Sequence, residues 1–206
     1  MDVLNVVKTG ENFRLLYDEK GRFTLVKVND KEANFKLCKI VKKAVGPNKI
    51  PYVVTHDART IRFPHPDINE GDTVKYDLEK SQILSWISNE PGHLAYVTGG
   101  NNIGRVGTII HVERHLGSFE IVHLKDSNGK TFATRSGNIF IIGNKKSEIT
   151  LPANEGLYYS ILEEKSRKEE SRKKSTKAWM IKTFSIYLIP YIIVWLIYFV
   201  VVCDSM

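Results

Sequence analysis

The sequence predicts a mainly β protein. Two small β domains come first, then a charged helical or disordered extension, then a hydrophobic helix at the carboxy terminus. Three observations carry this. From Met1 to about Ile142, short runs of β-branched and aromatic residues alternate with polar ones and are broken by Gly, Pro, Asn and Asp, the period-two signature of half-buried strands. Leu157 to Lys177 is charged on every side, and Thr183 to Cys203 holds no charged residue at all. These shifts place a central β domain at 1–89, a second β domain at 90–134, an extension at 135–178 and an apolar tail at 179–206.

Taken in order, Asn12–Tyr17 and Arg22–Val28 read as strands joined by the turn Asp18-Glu19-Lys20-Gly21, and Asn29–Ala33 has room for one helical turn. Phe35–Val45 is a long strand, ended by Gly46-Pro47-Asn48-Lys49. Tyr52–Thr55 pairs back, and His56–Pro64 continues as a polar strand or loop. Thr73–Leu78 and Gln82–Ile87 alternate cleanly around the turn Glu79-Lys80-Ser81. After the break Glu90-Pro91-Gly92 come His93–Val97, Val106–Val112 and Ser118–Lys125. Asp126-Ser127-Asn128-Gly129 supplies a hairpin turn, since Asn-Gly suits the strand twist, and Thr131–Thr134 closes the small barrel. The apolar run Asn138–Gly143 is expected to pack over an open end of that barrel. Leu157–Lys177 is rich in helix formers with Glu-to-Lys spacings, yet has no face to bury, so it reads as an exposed helix, an RNA-contacting tail or disorder.

Between two of these strands lies Val97-Thr98-Gly99-Gly100-Asn101-Asn102-Ile103-Gly104-Arg105-Val106-Gly107, with four glycines in nine residues. It is not a phosphate-binding P-loop, because neither Lys-Ser nor Lys-Thr follows and no helix begins. The dinucleotide fingerprint fails for want of a following helix. A glycine-rich loop, a basic residue, a further Gly and then a strand resemble the KOW module, a short SH3-like β unit of ribosomal and transcription proteins. The glycines are first a backbone requirement, since Gly accepts φ > 0 and close approach. Arg105, Arg114, Arg59 and Arg62 are the candidates for phosphate contact, because a planar, permanently charged guanidinium matches phosphate oxygens.

The net charge is +7 over 206 residues, and Met1–Thr150 carries 22 Lys and Arg against 17 Asp and Glu, a balance that suits a phosphate-bearing partner. Two cysteines, Cys38 and Cys203, exclude a disulfide framework and a zinc ribbon, and no signal peptide opens the chain. His56-Asp57 lacks the helical His and Asp partners of a metal phosphohydrolase and reads as a hydrogen-bonded turn. His93, His111, His115 and His123 lack metal-ligand spacing; His111 and His123 lie on facing strands as a polar surface pair. No nucleophile–base arrangement can be assembled, so neither an enzyme site, a cofactor nor a metal is expected.

The tail is about one bilayer long, is flanked by Lys177 and Lys182, and reads as a transmembrane helix.

Longer runs resemble the eukaryotic and archaeal small-subunit ribosomal protein S-four family over roughly Met1–Lys174. They are Lys8–Leu15, Thr55–Arg62, Val97–Arg105, Glu113-Arg114-His115, Gly117-Ser118-Phe119, Phe132–Arg135 and Asn138-Ile139-Phe140. The resemblance implies a structural, non-enzymatic role on the cytoplasmic ribosome, in translation, with small-subunit rRNA and other small-subunit proteins as partners. It also implies RNA contact through the loop Gly99, Gly100, Asn102, Gly104, Arg105 and Gly107, through Arg114 and His115, and through the strand with Arg59 and Arg62. Two departures stand out. Met1 aligns inside the family, so the amino-terminal S-four-type RNA-binding domain has no counterpart, and neither does the tail from about Thr176. A truncated or read-through gene model explains both ends. The competing reading is a membrane-anchored RNA- or protein-binding module with residues 183–203 in the bilayer.

Overall fold

The computed structural model describes residues 1–152, 154–174 and 176, and the chain divides into two units between Tyr158 and Tyr159. The first unit is built of antiparallel sheets. Strands β1 (Val3–Val6), β2 (Glu11–Tyr17) and β3 (Phe23–Val28) pair in that order. The β2–β3 turn closes through Asp18 N donating to Arg22 O at 2.7 Å. Sequence alternation does not single out β1. None of its four residues is buried, so it exists as a strand through its ladder with β2.

The expected helical turn, α1, spans Asp30–Ala33. Next come β4 (Phe35–Val45), β5 (Pro51–Thr55), β6 (Thr60–Arg62), β7 (Thr73–Asp77) and β8 (Ile83–Ile87), in the sheet order β6-β5-β4-β7-β8. β4 is shared along its length: Phe35–Lys39 pairs with β7, and Ile40–Val45 pairs with β5. The register slips between Ile40 and Lys42, a bulge that bends β4 so the sheet curls on itself. Inside the curl, Cys38, Ile40, Val53, Ile68, Val74 and Tyr76 form one core.

The third sheet has the order β12-β11-β10-β9-β13, from β9 (Leu94–Val97), β10 (Val106–Glu113), β11 (Ile121–Lys125), β12 (Thr131–Arg135) and β13 (Ile139–Gly143). Here the structure corrects an expectation. The run Ile139–Gly143 does not lie over an open end; it is an edge strand paired with β9, so regular β structure continues past residue 134. Its unbroken apolarity has a simple cause. Ile139 and Ile141 face a core with Ala95, Val97, Ile109, Val122 and Leu124, whereas Phe140 and Ile142 face another with Leu16, Leu37 and Tyr96. A strand buried on both faces loses the alternation that marks a half-exposed one.

That second core joins all three sheets. Tyr96 is its pin: the hydroxyl donates to Tyr17 O at 2.8 Å and accepts from Tyr17 N at 2.7 Å. Burial drives its ionisation far above the ordinary tyrosine range, so the hydroxyl stays a donor. A second tie is Lys39, whose Nζ donates to Ser136 O, Gly137 O and Ile139 O at 2.9, 3.2 and 2.7 Å, fastening the central sheet to the β12–β13 connection.

In the second unit, residues 161–174 are helical and none is buried, as an all-round charged segment requires. Ser160 and Glu163 form a reciprocal capping box: Ser160 N donates to Glu163 Oε2 at 2.9 Å and Glu163 N to Ser160 Oγ at 3.4 Å. The segment expected to span a membrane, 183–203, lies outside the described residues. Among the described residues no helix is long and apolar enough to cross a bilayer.

Candidate nucleic-acid interface

The residues singled out from sequence fall in three places. The first is the loop between β9 and β10. Its neck is closed by Val97 N donating to Arg105 O at 2.9 Å and Gly104 N to Val97 O at 2.8 Å. Gly100 and Gly104 have φ of +82° and +79°, as the glycine content predicts. The loop does not stand open, however. A Cβ on Gly104 would fall on the Asp18 carbonyl, and a Cβ on Gly21 would reach within 2.8 Å of Ile103 Cγ2, so the loop is seated on the β2–β3 turn. Gly99 and Gly100 lie against the Asn138 side chain, and Gly107 against the Lys125 carbonyl. Asn102 donates from Nδ2 to Ala133 O at 3.1 Å, which ties the loop to β12.

Arg105 is the most enclosed of the four candidate arginines. The residue is only 9% exposed. It is ion-paired to buried Asp126, donates to Asn102 Oδ1 at 3.1 Å, and lies 3.7 Å from the Phe132 ring centroid and 5.5 Å from that of Tyr158. Burial pushes the Asp126 carboxyl up, against the pull of Arg105. These contacts hold the β9–β10 loop to the β11–β12 turn. The glycines and Arg105 both take part in the close packing of that loop.

The second place is the end of β10 and the β10–β11 loop, and this surface is open. The Arg114 side chain is 81% exposed, with Nε 3.3 Å from Glu120 Oε1. His115 Nε2 lies 3.5 Å from Glu113 Oε2, and His123 Nε2 lies 3.0 Å from the other oxygen of the same carboxylate. His111 and His123 are cross-strand partners, as expected of facing strands. Nearby, exposed Phe119 carries the Arg135 guanidinium 4.3 Å from its ring centroid. Surface ion pairs of this kind hold their partners weakly, by roughly 0–1 kcal/mol, so Glu120 restrains Arg114 little. Sequence reading found Arg114 and His115 but missed Phe119 and Arg135, which lie on the β10–β11 loop and at the end of β12 and come together where β12 pairs with β11.

The third place is the β5–β6 hairpin. Arg62 is exposed, with no ion pair among the described residues. Arg59 is partly committed: its Nε donates to Asp57 at 2.9 Å and its guanidinium sits 5.0 Å from the Tyr76 centroid. Asp57 is a hub that also accepts from Thr55 Oγ1 and, at 2.9 Å, from Lys36 Nζ, which in turn meets Asp2 at 2.6 Å. Burial alone would push the Asp57 carboxyl up. Hydrogen bonds from Thr55 and Lys36 outweigh it and hold the group well below the usual carboxylate range. The donor atoms of Cys38, His56 and Asp57 lie within 4.8 Å of one another, a geometry that could suit a metal. Chemistry argues against one: burial and Asp57 push the Cys38 thiol up to about 12, His56 Nδ1 already accepts from Lys39 N, and Asp57 is shared among two cations and a hydroxyl. The reading of His56-Asp57 as a hydrogen-bonded turn fits this network. Fully buried Arg14, which donates to Met1 O, Glu32 O and Phe35 O, was also missed, although its place between Asn12 and Leu16 on the inward side of β2 was a signal.

With this geometry established, comparison with known proteins shows the family. A profile described as ribosomal family S4e matches residues 9–83, and one described as the 40S ribosomal protein S4 C-terminus matches residues 126–172. The crystal structure of the 30S ribosomal protein S4e from Thermoplasma acidophilum is similar at 32% identity and a TM-score of 0.59, over 68% of this chain and 71% of that one. The chain belongs to the S4e family of ribosomal proteins. Among its S4e relatives, the small ribosomal subunit protein eS4 of Tetrahymena thermophila is 54% identical over 169 residues, 82% of this chain and 65% of that protein. The eS4 protein of Bombyx mori is 51% identical over the same length, 64% of its own. This S4e chain therefore spans just under two thirds of the length of those relatives.

Proposed function

We propose that this S4e chain is a structural, non-enzymatic constituent of the small subunit of the cytoplasmic ribosome, binding rRNA and neighbouring small-subunit proteins. The observation that carries the reading is the open β10–β11 surface, which holds exposed Arg114 and His115 and, nearby, Arg135 over the exposed Phe119 ring. Two guanidiniums beside an aromatic ring suit phosphates and an unpaired base. Arg62 on the β5–β6 hairpin extends the interface, and Arg59 joins it through the face not held by Asp57. The glycine loop contributes by shaping the barrel. The names of the S4e relatives support the assignment to the small subunit.

Filter binding of the full chain to small-subunit rRNA at several salt concentrations tests this. Arg114→Ala and Arg135→Ala should each flatten the log–log salt slope by roughly 0.7–0.9 and leave the denaturation midpoint in place. Slopes identical to wild type would remove this surface from the interface. The membrane-anchored alternative rests on the sequence of residues 183–203 alone, and no feature of the described residues favours it.

A further inference from the structure

We propose that the open side of the curled central sheet is a stacking site for one unpaired nucleobase, separate from the β10–β11 surface; this rests on the RNA-binding reading above. The sheet order leaves β6 and β8 as its two edges, and a groove of about 420 Å³ lies between them. Ile68 lines it, with Arg62, Phe63 and His65 from the β6 side and Leu84 and Trp86 from β8.

Three features point to a flat, aromatic ligand. His65 already stacks on Trp86, with ring centroids 4.6 Å apart and planes 24° apart, yet about half of the His65 side chain still meets solvent. A ring added to that pair continues an existing stack. Phe63 is 71% exposed and sits at φ +53° directly before Pro64. The left-handed region is a genuine outlier for a bulky residue, and the position before a proline is normally pushed to extended backbone. Phe63 thus carries backbone strain with no burial to offset it, a pattern that marks a residue waiting for a partner. Finally, Arg62 borders the groove with no ion pair among the described residues, so a phosphate joined to the base has a cation beside it. Stacking on aromatic rings with a neighbouring cation is how single-stranded nucleic acid is held without base-pair readout.

An extended peptide could lie along the same two free edges, and the test separates the cases. The full chain is titrated with a single-stranded oligoribonucleotide and with a duplex RNA of equal charge, following tryptophan fluorescence and filter retention. The single strand should quench a component of fluorescence that is missing in Trp86→Leu. Phe63→Leu and Trp86→Leu should each weaken single-strand binding on the order of tenfold. Neither should alter duplex binding or the salt slope, because no charge is removed. Because Phe63 is solvent-exposed, Phe63→Leu remains informative even where Trp86→Leu lowers stability. Single-strand affinity within twofold of wild type in Phe63→Leu, with duplex binding intact, overturns the stacking site and leaves the rRNA-binding reading standing. Failure of the wild-type chain to bind either RNA overturns both. Displacement of a bound strand-forming peptide without any response to RNA assigns the groove to protein.

Discussion

At the residue scale, the contrast between Arg105 and Arg114 shows why residue type alone does not locate an interface. Both are arginines next to strand β10, but one is enclosed by Asp126, Phe132 and Tyr158 while the other is 81% exposed. Arg105→Ala should therefore cost stability, about 3–5 kcal/mol, because it leaves Asp126 buried without its partner. Lysine should restore only part of that, since it lacks the planar fork. Gly104→Val should be at least as damaging, because it combines a left-handed backbone with a clash against the Asp18 carbonyl. Urea unfolding of the three variants checks this, and an Arg105→Ala midpoint equal to wild type would show the pair to be ornamental. Asp57 makes a prediction in pH. Its carboxyl is held below the ordinary value, so the stability it contributes is present above that value and is lost as pH falls through the folded-state one. His56, kept neutral mainly by burial, acts in the same direction and earlier, as pH drops below the usual imidazole range. Acid unfolding should be less steep in Asp57→Asn than in wild type, from a lower starting stability because Lys36 loses its inner partner. An unchanged slope would locate the acid sensitivity elsewhere.

At the scale of elements, β4 and β13 are each used twice. The bulge after Ile40 lets β4 serve both halves of the curled sheet, and β13 presents alternate residues to two cores. Phe140, 3% exposed, is the larger of its side chains in the core that joins all three sheets. Phe140→Ala should destabilise the first unit by about 3–5 kcal/mol, far more than truncating a lid residue would. Thermal melts monitored by strand circular dichroism test it: a shift of only a degree or two would return Ile139–Gly143 to the peripheral role its sequence first suggests.

At the scale of the whole molecule, the first unit is bound together by the Tyr96 pin, the Lys39 staple and the shared apolar core. The charged helix at 161–174 belongs to the second unit, and from Lys165 to Lys182, within that helix and just after it, the sequence carries eight Lys and Arg residues before an uncharged stretch. If residues 183–203 insert in a bilayer, that basic stretch stays on the cytosolic side, by the positive-inside preference. The full chain should then resist carbonate extraction from membranes, whereas a chain ending at Lys174 should not. Recovery of the full chain in the supernatant would end the membrane reading and leave an apolar extension.

The sequence by itself determined the β class, nearly every strand, the left-handed glycines, the all-round charge of the segment after Leu157 and the likeness to the ribosomal S4e family. Each of these is local or statistical: alternation, turn chemistry and contiguous motif need only neighbours along the chain. Tertiary structure alone decided which cations are free. Arg14, Lys36 and Arg105 look like surface charges in one dimension, yet each is enclosed by a partner distant in sequence, Glu32 from the short helix and Asp57 and Asp126 from turns. It also decided that β13 is a strand and not a cover, because two-sided burial erases the very period that announces a strand. The open arginines Arg114 and Arg62 were legible in advance; the aromatic rings beside them, Phe119 and the His65–Trp86 stack, became part of a surface only when sheet curvature and cross-strand register set them side by side.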